Sequence, residues 1–360
     1  MRAAIMRGHQ IVVDEMPDPE PLSGQVLVKT LACGICGSDL HALKHLAKMV
    51  ESTGGRGPLG QVKPDRDMVM GHEYCAEIID FGPDCERKLA PGTRVCAFPL
   101  LAGPQGRHSV GYSNVVPGGY GEYMLLNEAL LLPVPNGLST EHAALTEPMA
   151  VGWHAVAKAR LDKNDVPLVV GCGPVGLAVI AALKIAGAAP IVAADFSPRR
   201  RALAEALGAD AVVDPAAASP FETWQSLAAL PPEAGPAAGV LAVPGPRYRP
   251  AVIFECVGVP GVIDQVMAGA PRGARIVVVG VCMETDTILP IHGINKELNL
   301  QFVLAYTPEE FALSLRHIAE GRIPVDAVLT GRVGLEGVAD AFDTLASPEH
   351  HCKIMVTPWA

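Results

Sequence analysis

The chain of 360 residues carries a formal net charge of −10, and 49% of its residues are hydrophobic. This length predicts two domains with a core each, and the acidic balance argues against nucleic acid or an anionic membrane surface as a partner. Nine cysteines without a recognisable secretory leader indicate free thiols or metal ligands, so we expect a cytoplasmic protein.

Residues 1–32 alternate apolar and polar side chains between prolines and glycines, which predicts antiparallel β-strands. The next segment, CGICGSDLH, contains Cys33 and Cys36 in a C-x-x-C pair. A four-cysteine zinc site would need a second such pair, which the sequence lacks, and a redox pair would need a thioredoxin-like pattern around it. In a third interpretation, one of the two cysteines binds a catalytic zinc together with residues from distant sequence.

Two later segments supply further zinc-ligand types. His72 and Glu73 follow the apolar run Met68–Met70, and Glu147 lies in the segment Leu-Thr-Glu-Pro. Cysteine, histidine and carboxylate are ligands of catalytic zinc, which leaves one position open for water or substrate. Each residue alone is more often structural, so the hypothesis depends on the whole set.

A strand, tight turn, helix and second strand are predicted between residues 168 and 195. The turn has G-x-G-x-x-G spacing, in which glycines permit the turn, the approach of a pyrophosphate and close packing of helix on strand. Asp195 ends the second strand, where a carboxylate can accept hydrogen bonds from an adenosine ribose. The alternative is a buried βαβ unit without a ligand. We favour a dinucleotide site that includes Gly171, Gly173, Pro174, Val175, Gly176 and Asp195.

The choice of cofactor follows from the residues around Asp195. Its carboxylate would repel a 2′-phosphate and therefore favours NAD over NADP. The arginines at 199–201 favour the opposite choice, but they lie on the following helix, where at most two can face the ribose. We expect NAD, with Arg200 contacting a ribose oxygen.

Strands and helices alternate after this unit, which predicts an α/β fold with a doubly wound parallel sheet. The expected domains are a catalytic domain at 1–150, a dinucleotide-binding domain at 151–290 and a return to the catalytic domain at 291–360. The substrate would then lie in a cleft between the domains, with zinc at its floor.

The segments CGICGSDLH, Gly-His-Glu, Thr-Glu-Pro leading to VGWHA, and GCGPVG together resemble zinc-dependent medium-chain dehydrogenases/reductases. The resemblance spans nearly the whole chain and is nearest to the sorbitol, butanediol and threonine dehydrogenase branch. It implies a Rossmann domain inserted into a mostly β, GroES-like catalytic domain. It also implies a homodimer or homotetramer that oxidises a secondary alcohol, diol or polyol with NAD.

The same resemblance assigns roles to residues. In the family the ligand cysteine precedes a Ser/Thr-Asp pair by two residues, which selects Cys36 over Cys33. His72 would be the second ligand, Glu147 a direct or water-mediated one, and Glu73 an indirect or alternating one. The implied proton path runs from the bound alcohol through Ser38 and the ribose hydroxyls to His41, and Asp39 would accept the other ring N–H of His72.

Three features depart from the family pattern. The lobe that usually holds a structural zinc retains only Cys96, so we expect no structural zinc. The segment between His41 and His72 is longer than usual and contains a short amphipathic helix and a Gly/Pro-rich loop. By position it borders the substrate, as a lid, an interface or a solvated insertion without a role. The loop Pro215–Pro250 is also lengthened, away from the expected chemistry.

Two rival functions remain. A zinc-free quinone or enoyl reductase of the same superfamily would lack the ligands Cys36 and His72. A non-catalytic dinucleotide-binding protein would need neither that ligand set nor Ser38.

Overall fold

The structure, a computed structural model, describes residues 1–103, 106–135, 137–231, 246–347 and 351–360. The chain divides into two compact units, the first formed by Met1–Ala150 and Thr307–Ala360 and the second by Val151–Tyr306. None of the helices in the described ranges is long and apolar enough to cross a membrane. Part of the lengthened loop 215–250, residues 232–245, lies outside the described residues.

The strands are β1 (Arg2–Arg7), β2 (Gln10–Glu15), β3 (Gln25–Gly34), β4 (Met68–Val69), β5 (Glu73–Phe81), β6 (Arg94–Ala97), β7 (Leu100–Gly103), β8 (Gly106–Ser109), β9 (Tyr123–Asn127), β10 (Leu131–Pro133), β11 (Val166–Val170), β12 (Val192–Ala194), β13 (Ala211–Val213), β14 (Ala251–Glu255), β15 (Arg275–Val278), β16 (Asn299–Phe302), β17 (Leu329–Val333) and β18 (Lys353–Val356). The α-helices are α1 (Gly37–Ser52), α2 (Thr140–Ala144), α3 (Thr146–Ala159), α4 (Pro174–Ile185), α5 (Pro198–Leu207), α6 (Pro220–Ala228), α7 (Val262–Gly269), α8 (Pro290–Lys296), α9 (Pro308–Ala319) and α10 (Val338–Leu345).

The first unit is built mainly from β-strands. Its larger sheet has the order β10-β6-β5-β3-β18-β17, with β9 also paired to β3, and a smaller sheet has the order β2-β1-β4. The long strand β3 pairs antiparallel with β5, β9 and β18, so it connects the N-terminal and C-terminal parts of the unit. The apolar faces of these strands share one buried core with residues of α1 and α10.

The second unit is a six-stranded sheet with the order β13-β12-β11-β14-β15-β16, and every neighbouring pair is parallel. This is the strand order of the doubly wound dinucleotide-binding fold. The indole N–H of Trp224 on α6 donates to the carbonyl of Val166 at 2.8 Å, which holds that helix against the first strand of the sheet.

The second unit extends beyond the boundary expected near residue 290. Strand β16 pairs with β15 through four residues, from Arg275 opposite Asn299 to Val278 opposite Phe302. Residues 291–306 therefore belong to the dinucleotide-binding unit, and the chain returns to the first unit at Thr307. The boundary was placed too early because a strand of four residues, NLQF, does not reveal from its sequence which sheet it joins.

The long segment between His41 and His72 continues the helix that begins at Gly37. Helix α1 runs to Ser52 and buries Ala42 and Leu46 in the core of the first unit. The following loop is bound by Asn114, whose side chain hydrogen-bonds the backbone of Lys63, Arg66 and Asp67 at 2.7–3.2 Å. The segment is therefore packed on its own unit, unlike a purely solvated insertion.

Candidate metal and nucleotide sites

Cys36 lies where β3 ends and α1 begins. The backbone N–H of Cys36 donates to Asp39 Oδ2 over 3.0 Å, which fixes the chain at the start of the helix. The Cys36 side chain is half-buried, whereas Cys33 is fully buried with its thiol facing the carbonyl of Gly34. Burial, together with the charges of Asp39 and Glu73, raises the pKa of the Cys33 thiol well above its usual value. Cys33 is thus an interior thiol, and Cys36 is the accessible member of the pair.

The turn before β5 brings His72 and Glu73 close to Cys36. Gly71 makes this turn with φ of +99°, and a Cβ at that position would lie 2.8 Å from the ring of Tyr120. The ligand atoms of Cys36, His72 and Glu73 all lie within 4.8 Å of one another, and the part of the chain that the structure describes contains no other such group. One thiol, one imidazole and one carboxylate form a donor set that suits zinc and leaves a fourth position open.

Glu73 is also half of a fully buried ion pair. Lys353 Nζ lies 2.7 Å from each of its carboxylate oxygens and donates a further bond of 3.0 Å to the carbonyl of Ile35. Burial lowers the pKa of Lys353, but the charge and hydrogen bond of Glu73, together with the charge of Cys36, outweigh this effect and the net shift is upward. Gly34 makes room for the carboxylate, since a Cβ there would lie 2.1 Å from Glu73 Oε2.

Asp39 is fully buried and connects the candidate ligands to two tyrosines. Its Oδ1 lies 3.5 Å from His72 Nδ1 and accepts a bond of 3.0 Å from Tyr112, while its Oδ2 accepts one of 2.7 Å from Tyr120. The ring of Tyr112 also lies 5.3 Å from the His72 ring, centre to centre. Asp39 can therefore orient the imidazole through its second nitrogen, the arrangement common to metal-binding histidines.

The two charges of this pair stabilise each other. Burial alone would raise the pKa of Asp39, but attraction to His72 and the surrounding hydrogen bonds hold it below its usual value. Burial would likewise lower the pKa of His72, yet Asp39 and Cys36 raise it well above its usual value. Without a metal, Asp39 is thus ionised and His72 protonated at neutral pH.

Ser38 and His41 lie on the first turns of α1. The Ser38 hydroxyl is 2.8 Å from the hydroxyl of Tyr112. Burial, followed by repulsion from His45 and Lys44, lowers the pKa of His41. A histidine that is neutral at neutral pH can accept a proton, as the implied path requires.

Glu147 is the one predicted metal ligand that the structure does not bring into this group. It lies on the first turn of α3 and is 7% exposed, but its carboxylate is outside the cluster of Cys36, His72 and Glu73. The geometry therefore favours Glu73 over Glu147 as a direct ligand, whereas contact of Glu147 through a water molecule stays a prediction. Glu73 directly follows His72 in the chain and faces the space that Gly34 leaves open.

In the second unit, the glycine turn has the geometry that a pyrophosphate needs. Gly171 has φ of +91°, Gly173 is the N-cap of α4 and Pro174 is its first residue. A Cβ on Gly176 would lie 1.9 Å from the carbonyl oxygen of Gly171, whereas a Cβ on Gly173 would have no atom nearer than 3.8 Å. Gly176 is therefore required by packing, and Gly173 leaves open space at a helix N-terminus.

Asp195 and Arg200 flank this open space. The Asp195 carboxylate accepts bonds from the N–H groups of Cys172 and Ser197, at 2.7 and 2.8 Å. Arg200 lies 4.0 Å from the same carboxylate and is the nearest residue to the open side of Gly173. Its buried Nε has no hydrogen-bond partner, so the guanidinium retains donors for a ligand. The guanidinium of Arg201 is instead occupied by Asp214 at 3.2 Å and by the backbone carbonyls of Asp195 and Phe196 at 2.8 Å.

Comparison with known proteins identifies both units. Residues 22–136 match the alcohol dehydrogenase GroES-like domain, and residues 174–320 match the zinc-binding dehydrogenase family. The chain is 32% identical to (R,R)-butanediol dehydrogenase of Bacillus subtilis over 363 residues, which cover 97% of this chain and 96% of the relative. The chain belongs to the zinc-dependent medium-chain alcohol dehydrogenase family. Within this family it is also 28% identical to sorbitol dehydrogenase of Bos taurus, over 92% of this chain and 89% of the relative.

Solved structures agree with this membership. The 2R,3R-butanediol dehydrogenase of Bacillus subtilis superimposes with a TM-score of 0.79 and 29% identity, covering 99% of both chains. A zinc-binding dehydrogenase from Sinorhizobium meliloti bound to NADP does so with a TM-score of 0.77 and 26% identity, again over 99% of both. The family resemblance and the fold class expected from the motifs are confirmed.

The motif analysis missed three polar residues that lie at the candidate metal site. Lys353 had a visible signal, because a lysine inside the apolar run Cys352–Val356 indicates a buried charge that needs a partner. Tyr112 and Tyr120 had none, since nothing in their local sequence distinguishes them from core tyrosines.

We predict that zinc uptake by the metal-free enzyme displaces the proton that Asp39 stabilises on His72. Because the pKa of His72 is raised, the ring is protonated below that pKa, and zinc affinity should rise about tenfold per pH unit from this proton alone. Calorimetric zinc titration in two buffers of different ionisation enthalpy counts the protons released. The Asp39→Asn variant should release roughly one proton fewer at pH 7 than the unmodified chain. Equal proton release by the two would contradict this account.

Two glycine variants separate packing from cofactor binding. Gly176→Ala should lower the free energy of unfolding by about 1–3 kcal/mol, because its Cβ meets the carbonyl of Gly171. Gly173→Ala should leave stability unchanged but weaken NADH binding by roughly tenfold or more, since its methyl group occupies the open space. Urea denaturation and NADH fluorescence titration measure the two effects. If Gly173→Ala bound NADH as tightly as the unmodified chain, the pyrophosphate would lie elsewhere.

Proposed function

We propose that this protein catalyses the reversible, NAD-dependent oxidation of a small secondary alcohol, diol or polyol to the ketone. The observation that carries the proposal is the cluster of Cys36, His72 and Glu73, which combines three zinc-ligand types. The Ser38 hydroxyl is linked to this cluster through Tyr112 and Asp39. A zinc-free reductase would have no use for this donor set. A non-catalytic dinucleotide-binding protein would need neither the cluster nor the hydroxyl.

Cys36 and His72 would hold the zinc ion, with Glu73 as the third protein ligand. When bound, zinc polarises an alcohol oxygen and lowers the pKa of its hydroxyl. Ser38 would accept a hydrogen bond from this hydroxyl, and His41 would carry the departing proton outward. Asp39 keeps the imidazole of His72 in the ligating orientation.

The ion pair with Lys353 limits how far Glu73 can serve as a ligand. A buried lysine that loses its counter-ion is strongly destabilised, so Glu73 has to remain in contact with the ammonium group. Glu147, buried but outside the cluster, stays a candidate for contact through a water molecule.

NAD is the proposed cofactor. Glycines 171, 173 and 176, with Pro174 and Val175 on the first turn of α4, would bind the pyrophosphate. Asp195 is 10% exposed and would meet the ribose hydroxyls, where a 2′-phosphate would be repelled. The guanidinium of Arg200 would then contact a ribose oxygen.

The substrate class rests on the relatives. The related proteins described above are named butanediol dehydrogenase and sorbitol dehydrogenase. Butanediol and sorbitol are neutral molecules with adjacent hydroxyl groups. We therefore propose vicinal diols and polyols as the first substrates to test. We also propose the cytoplasm as the compartment, because all nine cysteines are free thiols.

Metal analysis and activity on one preparation test the proposed function. We expect one zinc per chain and NAD reduction with 2,3-butanediol or sorbitol, with a clear preference for NAD over NADP. Cys36→Ser should lose both zinc and activity, whereas the matched Cys33→Ser should retain both. Two zinc ions per chain would reveal a structural site in the lobe around Cys96. Full activity without zinc would contradict the proposal and indicate a zinc-free reductase.

We further propose that the protein forms a homodimer through the edge of the second unit's sheet. Within the described residues, β16 has a strand neighbour only on the side of β15. Large apolar side chains near this edge are exposed, with Ile294 at 70%, Phe302 at 62% and Leu304 at 86%. An unpaired strand edge beside exposed apolar groups favours pairing with a second copy.

Analytical ultracentrifugation checks this proposal. Leu304→Glu should shift the protein toward monomer, because it places a charge in the apolar contact. Leu227→Glu provides the control, since Leu227 is 42% exposed on α6 of the same unit, outside the β16 edge. Dissociation by the control alone, or by neither variant, would place the interface on a different surface.

A further inference from the structure

The hydroxyl of Tyr112 lies within hydrogen-bonding distance of a second hydroxyl and of a carboxylate. It is 2.8 Å from Ser38 Oγ and 3.0 Å from Asp39 Oδ1. An ionised carboxylate only accepts hydrogen bonds, and a phenol has a single hydrogen to donate. The stronger, charge-assisted bond takes that hydrogen, so Tyr112 donates to Asp39. The bond between the two hydroxyls must then be donated by Ser38 to the phenol oxygen.

This arrangement determines which hydrogen bonds Ser38 can form with a substrate. With its own hydrogen directed at Tyr112, Ser38 Oγ presents lone pairs on its remaining sides. We propose that Tyr112 is a positioning residue that holds Ser38 as a hydrogen-bond acceptor for the hydroxyl of the bound alcohol. The inference rests on the proposed function and adds to it the residue that orients the hydrogen-bond acceptor of the alcohol.

The backbone around Tyr112 is held tightly enough for this role. Gly111 has φ of +88°, and a Cβ there would lie 2.8 Å from the backbone of Gly71, one residue before His72. The Ser113 hydroxyl accepts bonds of 3.2 Å from the N–H groups of Val115 and Val116.

Asn114 fixes the other side of this loop. Its four hydrogen bonds to the backbone of residues 63–67 join the loop to the long segment after α1. Two departures from the family pattern, the long segment and the cysteine-poor lobe, thus meet at the loop that carries Tyr112.

Tyr120 offers a matched control. Its hydroxyl hydrogen-bonds Asp39 Oδ2 at 2.7 Å and the carbonyl of Gly34 at 3.4 Å, and within the described residues it has no bond to Ser38. Tyr120→Phe therefore removes a donor from the same carboxylate without altering the serine. An effect that passes through Asp39 to His72 should appear in both tyrosine variants, whereas an effect on Ser38 should appear only in Tyr112→Phe.

The experiment uses the cobalt(II)-substituted protein with NAD and pinacol, a vicinal diol without a carbinol hydrogen that therefore cannot be oxidised. Shifts of the cobalt d–d bands report the dissociation constant of pinacol without turnover. We expect Tyr112→Phe to weaken pinacol binding about fivefold, the effect of one hydrogen bond, with the cobalt bands of the diol-free protein unchanged. Ser38→Ala should weaken it similarly, and the double variant should bind no more weakly than Ser38→Ala alone.

Several results would overturn the proposal. Unchanged or tighter binding of pinacol by Tyr112→Phe would show that the phenol does not orient the serine. Additive losses in the double variant, or equal losses in Tyr112→Phe and Tyr120→Phe, would mean that Tyr112 acts through Asp39 and His72. Absence of cobalt d–d bands in the unmodified chain would remove the metal site itself, and with it both the proposed function and the role of Tyr112.

Discussion

The buried carboxylate of Asp39 is the constraint on which the metal site depends. It accepts the N–H of Cys36 and the hydroxyls of two tyrosines, and it faces the imidazole of His72. A carboxylate without these partners would be costly to bury, so the donors must be in place for the unit to fold. Because they come from α1, from the loop before β5 and from the loop before β9, one side chain fixes the relative positions of all three segments.

Most of the fold could be predicted from the sequence, because the strongest signals are local. Strands and glycine turns follow from apolar periodicity and spacing, and the residues around Gly171 and Asp195 have the expected geometry. The end of the second unit could not be predicted in this way. Strand β16 is held by backbone pairing with β15, and backbone hydrogen bonds have no side-chain signature.

The candidate site was predictable only where motif residues are close together in sequence. Cys36 and His72 belong to such motifs, whereas Lys353 reaches Glu73 from 280 residues away through the pairing of β18 with β3. The position of the Glu73 carboxylate depends on the missing Cβ of Gly34, a steric detail of the folded chain. Similarly, Tyr112 enters the site because Asn114 and Gly111 determine the course of a loop.

The charged groups of the site form two separate ion pairs. Each of the two fully buried carboxylates has its own cation in the metal-free protein, since Asp39 faces the protonated His72 and Glu73 faces Lys353. A bound zinc ion would replace the proton on His72, and Asp39 would then keep a neutral ring N–H as its partner. A zinc ion held by one thiolate and one neutral imidazole would retain a net positive charge, and a Glu73 carboxylate shared with Lys353 would offset that charge only in part.

That remaining charge would favour an oxygen that is becoming negative, as alcohol oxidation requires at the fourth position. If Glu73 moved fully onto the zinc, it would cancel this charge and leave the Lys353 ammonium buried without a counter-ion. The ion pair between Glu73 and Lys353 therefore does more than stabilise the core of the first unit. By restraining Glu73, it would preserve on a bound zinc ion the positive charge that favours the substrate oxygen.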